Sequence, residues 1–199
     1  INNLRRIGAR RAESRDETRR IEERLGKLFE SRGFRVTMNW HPDAERYPGV
    51  GEIDLICSFG GTVLVIEVKS TFLRHSQREA WLHGKTTLRR AGRQLRRKVS
   101  AVQDVIQEAP VACEMLGVEA GNCPPDVRGW IIDTSIEHDH QRFDGFLKLS
   151  VEEVIIALRD DRHLLSDPAG ILSGKILTTQ HETRSEPHQL TSLYPDGFS

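Results

Sequence analysis

Two short apolar segments joined by a glycine pair constrain the fold of this chain most. Residues 51–56 and 63–69 are rich in Ile, Val and Leu, which favours β-strands. Gly60-Gly61 lies between them and predicts a tight hairpin, because both central positions of a type I′ turn need a positive φ. If Phe59 pairs with Thr62, the register of the two antiparallel strands is fixed along their whole length.

That register brings charged side chains together on one face of the hairpin. Asp54 falls directly opposite Glu67, with Cβ atoms expected about 4.5–5.5 Å apart. Because side chains alternate along a strand, Lys69 shares the face of Glu67, and Glu52 falls opposite Lys69. A slip of one residue would separate these side chains, so the prediction depends on the register.

Charges in apolar strands are costly unless they are paired or bind a metal. Two opposed carboxylates repel each other unless a cation lies between them. Magnesium and manganese suit such oxygen ligands, and they commonly use one or two carboxylates together with water and substrate phosphate. A neighbouring lysine can orient a metal-bound water or stabilise charge on the phosphate. The pattern predicts metal-assisted phosphodiester hydrolysis, and a cross-strand salt-bridge ladder on a solvated sheet face is the alternative.

Asp54 followed by Glu67-Val68-Lys69 resembles the D…(D/E)-x-K signature of the PD-(D/E)xK nuclease superfamily. The similarity covers about residues 17–110 and is greatest to nuclease-related (NERD-type) domains and small resolvase-like nucleases. It implies an α/β fold with a restriction-endonuclease-like core, in which helices flank a central mixed β-sheet. It also implies Mg²⁺ or Mn²⁺ held by Asp54, Glu67 and the carbonyl of Val68, with Lys69 as the catalytic lysine.

An amphipathic helix is predicted over residues 16–32, ended by Gly33. Its apolar residues recur at helical spacing: Ile21, Leu25, Leu28 and Phe29. Glu22 lies at the margin of this apolar stripe, from which a side chain can reach the sheet. Because the superfamily often supplies a further acidic ligand from its first helix, the resemblance implies Glu22 as a metal ligand. A solvated glutamate is the alternative.

A second predicted helix follows the hairpin, with Thr86 or Thr87 as its N-cap. Its apolar series is Leu88, Ala91, Leu95, Val99, Val102 and Ile106. Gln94 lies beside this stripe, where several branches of the superfamily place a glutamine that points at the site, so the resemblance implies a catalytic role for it. A surface glutamine is the alternative.

This second helix is also strongly basic at its start. Between residues 85 and 98 there are seven cations and no acid: Lys85, Arg89, Arg90, Arg93, Arg96, Arg97 and Lys98. A helix that only needed solvation would mix charges of both signs. We therefore expect these residues to bind a nucleic-acid backbone, and a solvated face paired with acids elsewhere is the alternative.

The remaining pattern completes an α-β-β-β-α-β-α order. Strands are predicted over residues 34–40 and 127–133, and a helix over residues 149–158 with Ser150 as its N-cap. Residues 137–140 contain two histidines and two acids but lie among polar residues, so they indicate a loop more than a metal site. The domains expected are a basic N-terminal extension (1–15), a nuclease-like domain (16–175) and a polar, disordered tail (176–199).

Composition limits the class of protein only weakly. The formal net charge is zero, from 29 basic and 29 acidic residues, so positive charge is concentrated locally. Three cysteines without a C-x-x-C pair favour reduced thiols in the cytoplasm. The absence of a long apolar run predicts a soluble protein with no membrane partner.

Together these features predict a divalent-metal-dependent nuclease domain that acts on DNA. RNA is the alternative substrate. The other alternative is a nucleic-acid-binding module that keeps the fold without catalysis. Further domains of a longer chain and a homodimer are left open.

Overall fold

The computed structural model describes residues 2–70, 74, 76–108, 113, 114, 116 and 125–159, with side chains between residues 16 and 158 of these ranges. The elements in chain order are α1 (Asn2–Glu30), β1 (Arg35–Trp40), β2 (Ile53–Phe59), β3 (Thr62–Lys69), α2 (Gln77–His83), a π-helical turn (Gly84–Leu88), α3 (Arg89–Glu108), β4 (Asp126–Asp133), β5 (Arg142–Phe143), β6 (Phe146–Ser150) and α4 (Val151–Arg159). The predicted tail and the end of the predicted nuclease-like domain lie outside the described residues.

Six strands form one mixed sheet in the order β1-β2-β3-β4-β6-β5. β3 and β4 run parallel, as do β4 and β6, and the other neighbouring strands are antiparallel. Strand β3 is buried along six consecutive residues, Val63 to Val68, as expected of a strand covered on both faces. The predicted α/β class, with a mixed sheet flanked by helices, is confirmed.

Helices cover both faces of this sheet. Leu25 and Phe29 of α1 and Val154 of α4 pack in one apolar cluster with the even-numbered residues of β3. Leu95 and Val102 of α3 pack in a second cluster with the odd-numbered residues Val63 and Val65. Glu67 has the same parity as Val63 and Val65, so its side chain lies on the α3 face of the sheet.

The predicted hairpin register is confirmed. Phe59 pairs with Thr62, and the ladder continues in the same register to Leu55 and Ile66. The turn glycines, Gly60 and Gly61, have φ values of 54° and 84°, as a type I′ turn requires. The glycine pair therefore defines which β2 and β3 side chains share a face.

Two helix boundaries differ from the prediction. Helix α1 begins at Asn2, so the residues predicted as a basic extension continue the helix. Helix α3 has no threonine N-cap, because α2 and the π-helical turn lead directly into it. Both errors arise where a helix carries few apolar residues, because hydrophobic periodicity is then a weak signal.

The C-terminal part of the described chain confirms one capping prediction and adds a hairpin. The Ser150 hydroxyl accepts a hydrogen bond from the Glu153 N–H at 3.2 Å, as an N-cap does. The short β5–β6 hairpin was not predicted, since β5 has only two residues. No described helix is both long enough and apolar enough to span a membrane.

Candidate functional site

Two carboxylates converge on one ammonium group at the end of β3. The hairpin register, continued one residue beyond its last pair, places Asp54 beside Glu67. Lys98 of α3 reaches both: its Nζ lies 3.1 Å from Asp54 Oδ1 and also donates to Glu67 Oε2. The other Asp54 oxygen accepts the Val68 N–H at 2.7 Å. Asp54, Glu67 and Lys98 are called the carboxylate cluster below.

The carboxylate cluster is buried, which makes its electrostatics strong. The exposed side-chain fraction is 3% for Glu67, 5% for Lys98 and 15% for Asp54. Burial, reinforced by repulsion from Glu67, raises the pKa of Asp54 even though Lys98 and the Val68 N–H oppose the shift. Burial alone would lower the pKa of Lys98, but attraction to Glu67 and Asp54 outweighs it and raises that pKa. Lys98 therefore carries a charge that the two carboxylates hold in place.

Lys69 forms the solvent-facing side of the cluster. Its Nζ donates to Glu67 Oε1, and 26% of its side chain is exposed. In the parallel β3–β4 ladder Lys69 pairs with Asp133, which accepts from His83 Nε2 at 2.6 Å and from the Ser135 hydroxyl at 2.7 Å. Lys69 thus contacts Glu67. Both lie next to a second buried polar group, centred on Asp133, that sequence patterns did not indicate.

Glu22 of α1 lies half-buried within electrostatic range of the cluster. Burial raises its pKa to about 7, with further contributions from Asp54, Glu52 and Glu67 that Lys98 partly offsets. Glu52, predicted to share the face of Lys69, is exposed before the start of β2, and its Oε1 lies 4.0 Å from His41 Nε2. The first helix therefore places a half-buried carboxylate within electrostatic range of the cluster, and its role as a metal ligand stays a prediction.

The backbone is locally strained beside Asp54. Strand β1 pairs Met38 with Leu55 and Trp40 with Ile53, and the intervening Asn39 has a φ of 52°. A left-handed conformation is uncommon outside glycine, and such residues are frequent at functional sites. Asn39 lies between these two ladder pairs, at the register position of Asp54, whose carboxylate accepts the Val68 N–H.

The donor set can be tested against a magnesium or manganese ion. Within the described residues, no three His, Cys, Asp or Glu side chains are grouped to hold one metal. Two carboxylates that already share one cation nevertheless fit Mg²⁺, which needs only one or two protein carboxylates beside water and phosphate. Such an ion would replace the Lys98 ammonium. The ligand roles of Glu22 and of the Val68 carbonyl remain predictions.

One of the seven basic residues of the predicted phosphate-binding face does not belong to that face. Lys98 was assigned to that face, and the structure corrects this, because its ammonium is buried between two carboxylates. At about 100° per residue, Gln94 lies about 40° from Lys98 around α3, and Arg90 and Arg97 lie about 80–100° from it. Arg89, Arg93 and Arg96 lie about 140–180° away, so the five exposed arginines share one arc of about 120° on α3.

Residues 137–140 form a turn, as the polar context predicted. Each of the four side chains contacts a different group: Glu137 contacts Arg74, His138 the Ala80 carbonyl, Asp139 Lys148, and His140 Glu153. Four divergent side chains do not make a common metal site, so their role is to attach the loop to the fold.

Comparison with known proteins returned no match among family models, curated proteins or solved structures.

Proposed function

We propose that the chain is a metal-dependent nuclease domain of the PD-(D/E)xK type that hydrolyses phosphodiester bonds in DNA. One observation carries the proposal: the hairpin register brings Asp54 and Glu67 to a shared cation position, and Lys69 contacts Glu67 from the solvent side. The α/β fold with a mixed sheet is compatible with a restriction-endonuclease-like core.

In this proposal Asp54 and Glu67 would hold Mg²⁺ or Mn²⁺, and Glu22 is the further acid nearby. When bound, the ion supplies a more acidic water and neutralises charge that develops on the phosphate. Lys69 donates from the exposed side, where it can orient the attacking water or stabilise the phosphate oxygens. The Val68 N–H keeps the Asp54 carboxylate in one orientation.

One observation favours a second candidate, a nucleic-acid-binding module without catalysis. Lys98 and Lys69 together balance the charges of Asp54 and Glu67, so these four side chains are already neutral without a metal. A buried, fully paired cluster can serve structure alone. The nuclease proposal therefore requires that a divalent ion displace Lys98 from at least one carboxylate.

The deciding experiment is cleavage of supercoiled plasmid and linear DNA by the purified protein, with Mn²⁺ and with EDTA. Matched single-stranded DNA and RNA substrates distinguish the two nucleic acids. We expect Mn²⁺-dependent cleavage of DNA that Lys69→Ala reduces by two or more orders of magnitude, because removing one charge stabiliser commonly costs about 3–4 kcal/mol of barrier. Lys27→Ala, an exposed lysine at the end of α1, is the matched control.

The variants must remain folded for this test to count, which circular dichroism establishes. If the folded parent protein cleaves neither DNA nor RNA with Mn²⁺, the binding-module candidate replaces the nuclease. If the Lys69→Ala protein cleaves at the parent rate, Asp54, Glu67 and Lys69 are not the catalytic site.

A further inference from the structure

A basic groove with an exposed tryptophan lies on the side of α3 opposite to the carboxylate cluster. Its volume is about 630 Å³, and it lies between α2, the π-helical turn, the start of α3 and the β5–β6 hairpin. Arg89 and Arg93 line it, and both lie about 140–180° around α3 from Lys98. This Trp81 groove is therefore separate from the carboxylate cluster.

The groove combines a flat aromatic surface with positive charge. Trp81 is 57% exposed, although most large aromatic side chains are buried. The Lys85 ammonium lies 5.8 Å from the centre of the Trp81 ring. Arg89, Arg93 and Arg142 add three more cations to the lining, and the only lining acid among the described residues, Asp144, is 2.9 Å from Arg96 outside the groove.

Three of its cations form no ion pair within the described part of the chain. Lys85, Arg89 and Arg93 form no ion pair with any described acid, although each is exposed. Three unopposed cations beside one another repel, and a bound polyanion would relieve that repulsion. An exposed ring next to them adds a surface on which a base can stack.

The walls of the groove are held in an uncommon conformation. His138 and Asp144 line it with φ values of 63° and 58°. The His138 Nε2 donates to the Ala80 carbonyl at 2.9 Å and lies so close to Gly84 that a Cβ there would approach it to 2.9 Å. A π-helical turn at Gly84–Leu88 forms the adjoining wall, and such turns are frequent at functional sites. These contacts join the turn at residues 137–140 to α2 and to the π-helical turn, which form two walls of the groove.

We infer that the Trp81 groove binds single-stranded nucleic acid, with a base stacked on Trp81 and the adjoining phosphates bound by Lys85, Arg89 and Arg93. A duplex keeps its bases stacked on one another, so among nucleic acids an exposed indole stacks on bases that are unpaired. The volume suits about one or two nucleotides. The inference needs no catalysis at the carboxylate cluster.

The experiment measures binding of the full chain in EDTA, so that cleavage plays no part. Fluorescence anisotropy would measure the affinity of a labelled 12-nucleotide thymidine strand and of an abasic strand of equal length, with inorganic polyphosphate and thymidine monophosphate as competitors. We expect the thymidine strand to bind more tightly than the abasic one. Trp81→Ala should weaken thymidine binding about fivefold or more and abolish that preference, because stacking contributes substantially per base.

The arginine pair tests the phosphate contacts. Arg89→Ala with Arg93→Ala should weaken both strands and lower the slope of log affinity against log salt by about 1.4, at about 0.7 per phosphate on a single strand. The controls are Leu82→Ala, an exposed apolar neighbour of Trp81, and Lys27→Ala with Arg35→Ala, which removes equal charge elsewhere. Both controls should bind like the parent protein.

Five results would overturn the inference. Three concern the strands: no binding by the parent protein, equal affinity for the thymidine and abasic strands, and equal losses of affinity in Trp81→Ala and Leu82→Ala. Two concern the competitors: thymidine monophosphate that binds as tightly as the strand would indicate a pocket for free nucleotides, and polyphosphate that competes as strongly as unlabelled thymidine strand would indicate a plain anion site. Failure of the nuclease proposal would appear separately, as binding without Mn²⁺-dependent cleavage.

Discussion

At the scale of single residues, Lys98 places one positive charge between two buried carboxylates. Its ammonium satisfies Asp54 and Glu67 at the position that a divalent ion would occupy. Lys98 therefore stabilises the folded protein and, in the proposed nuclease, would compete with the metal. The free energy of unfolding would report this competition. A bound metal would replace the positive charge lost when Lys98 is removed, but not the charge of a residue elsewhere.

The first prediction concerns Lys98→Met. Without Lys98, two buried carboxylates lose their main partner, and we expect the free energy of unfolding to fall by about 3–5 kcal/mol at pH 8 in EDTA. Saturating Mn²⁺ should restore much of this loss, since ligand at 100 times its Kd stabilises by about 2.7 kcal/mol. Urea denaturation with and without Mn²⁺ measures both quantities. If Mn²⁺ has no effect on the variant, the cluster does not bind a metal.

The second prediction concerns the protonation of Glu22. Its pKa rises from 4.5 in the unfolded chain to about 7 in the folded protein, mainly through burial. The folded state therefore binds the proton more tightly, so this contribution to stability is fully present below pH 4.5 and is lost as the pH rises through 7. Allowing for solvent screening of a half-buried group, we expect an effect of about 1 kcal/mol.

Glu22→Gln isolates that contribution. Urea denaturation between pH 4.5 and 8 should show the parent losing stability relative to the variant as the pH rises. Glu23→Gln, an exposed neighbour on the same helix, is the control and should track the parent. A constant difference between parent and Glu22→Gln across this range would contradict the raised pKa.

At the scale of elements, two helical glycines differ in what faces them. A Cβ at Gly92 of α3 would lie 2.8 Å from Asp144 Cβ and would also meet the backbone of Phe143. A Cβ at Gly26 of α1 would lie 2.9 Å from the sulfur of Met38, the end of a flexible side chain that is 42% exposed. Gly92 lets the β5–β6 hairpin approach α3 closely, whereas Gly26 faces the end of a flexible side chain.

The third prediction compares the two alanine variants. Gly26→Ala should leave the protein equally stable or up to about 1 kcal/mol more stable, because alanine favours the helix and Met38 can move. Gly92→Ala should destabilise it by about 1–3 kcal/mol, because backbone atoms of the β5–β6 hairpin must shift. Thermal denaturation of both variants measures the difference. Equal melting temperatures would mean that the hairpin does not pack tightly on α3.

At the scale of the whole molecule, α3 separates two sides of the protein. Its buried stripe packs on the sheet, the carboxylate cluster lies on one flank and the Trp81 groove on the other. Arg90 and Arg97 lie on the flank nearer to Lys98, and Arg89 and Arg93 lie on the groove side. A DNA duplex that reaches the carboxylates would therefore approach the first pair.

The fourth prediction tests that approach. Arg90→Ala with Arg97→Ala should weaken duplex binding and lower its salt slope by about 1.8, at about 0.9 per phosphate contact. Mn²⁺-dependent cleavage of duplex DNA should fall with it. Arg89→Ala with Arg93→Ala removes equal charge from the same helix and should affect duplex cleavage less. The reverse order of effects would place the duplex on the groove side.

The sequence by itself determined the hairpin and what the hairpin brings together. Gly60-Gly61 permits a type I′ turn, and a tight turn leaves one register, so Asp54 and Glu67 had to meet. The central strands and the Ser150 cap followed from the same local rules, because apolar runs and capping residues act over a few neighbouring positions.

Only the tertiary structure decided the identity of the cation between those carboxylates. Lys98 is 44 residues from Asp54, and in the sequence it belongs to a uniformly basic run. Its direction depends on the rotation of α3 about its axis, which packing of Leu95 and Val102 against the sheet determines. The same rotation exposes Arg89 and Arg93 at the Trp81 groove, so one packing contact buries Lys98 and leaves the neighbouring arginines of the run exposed.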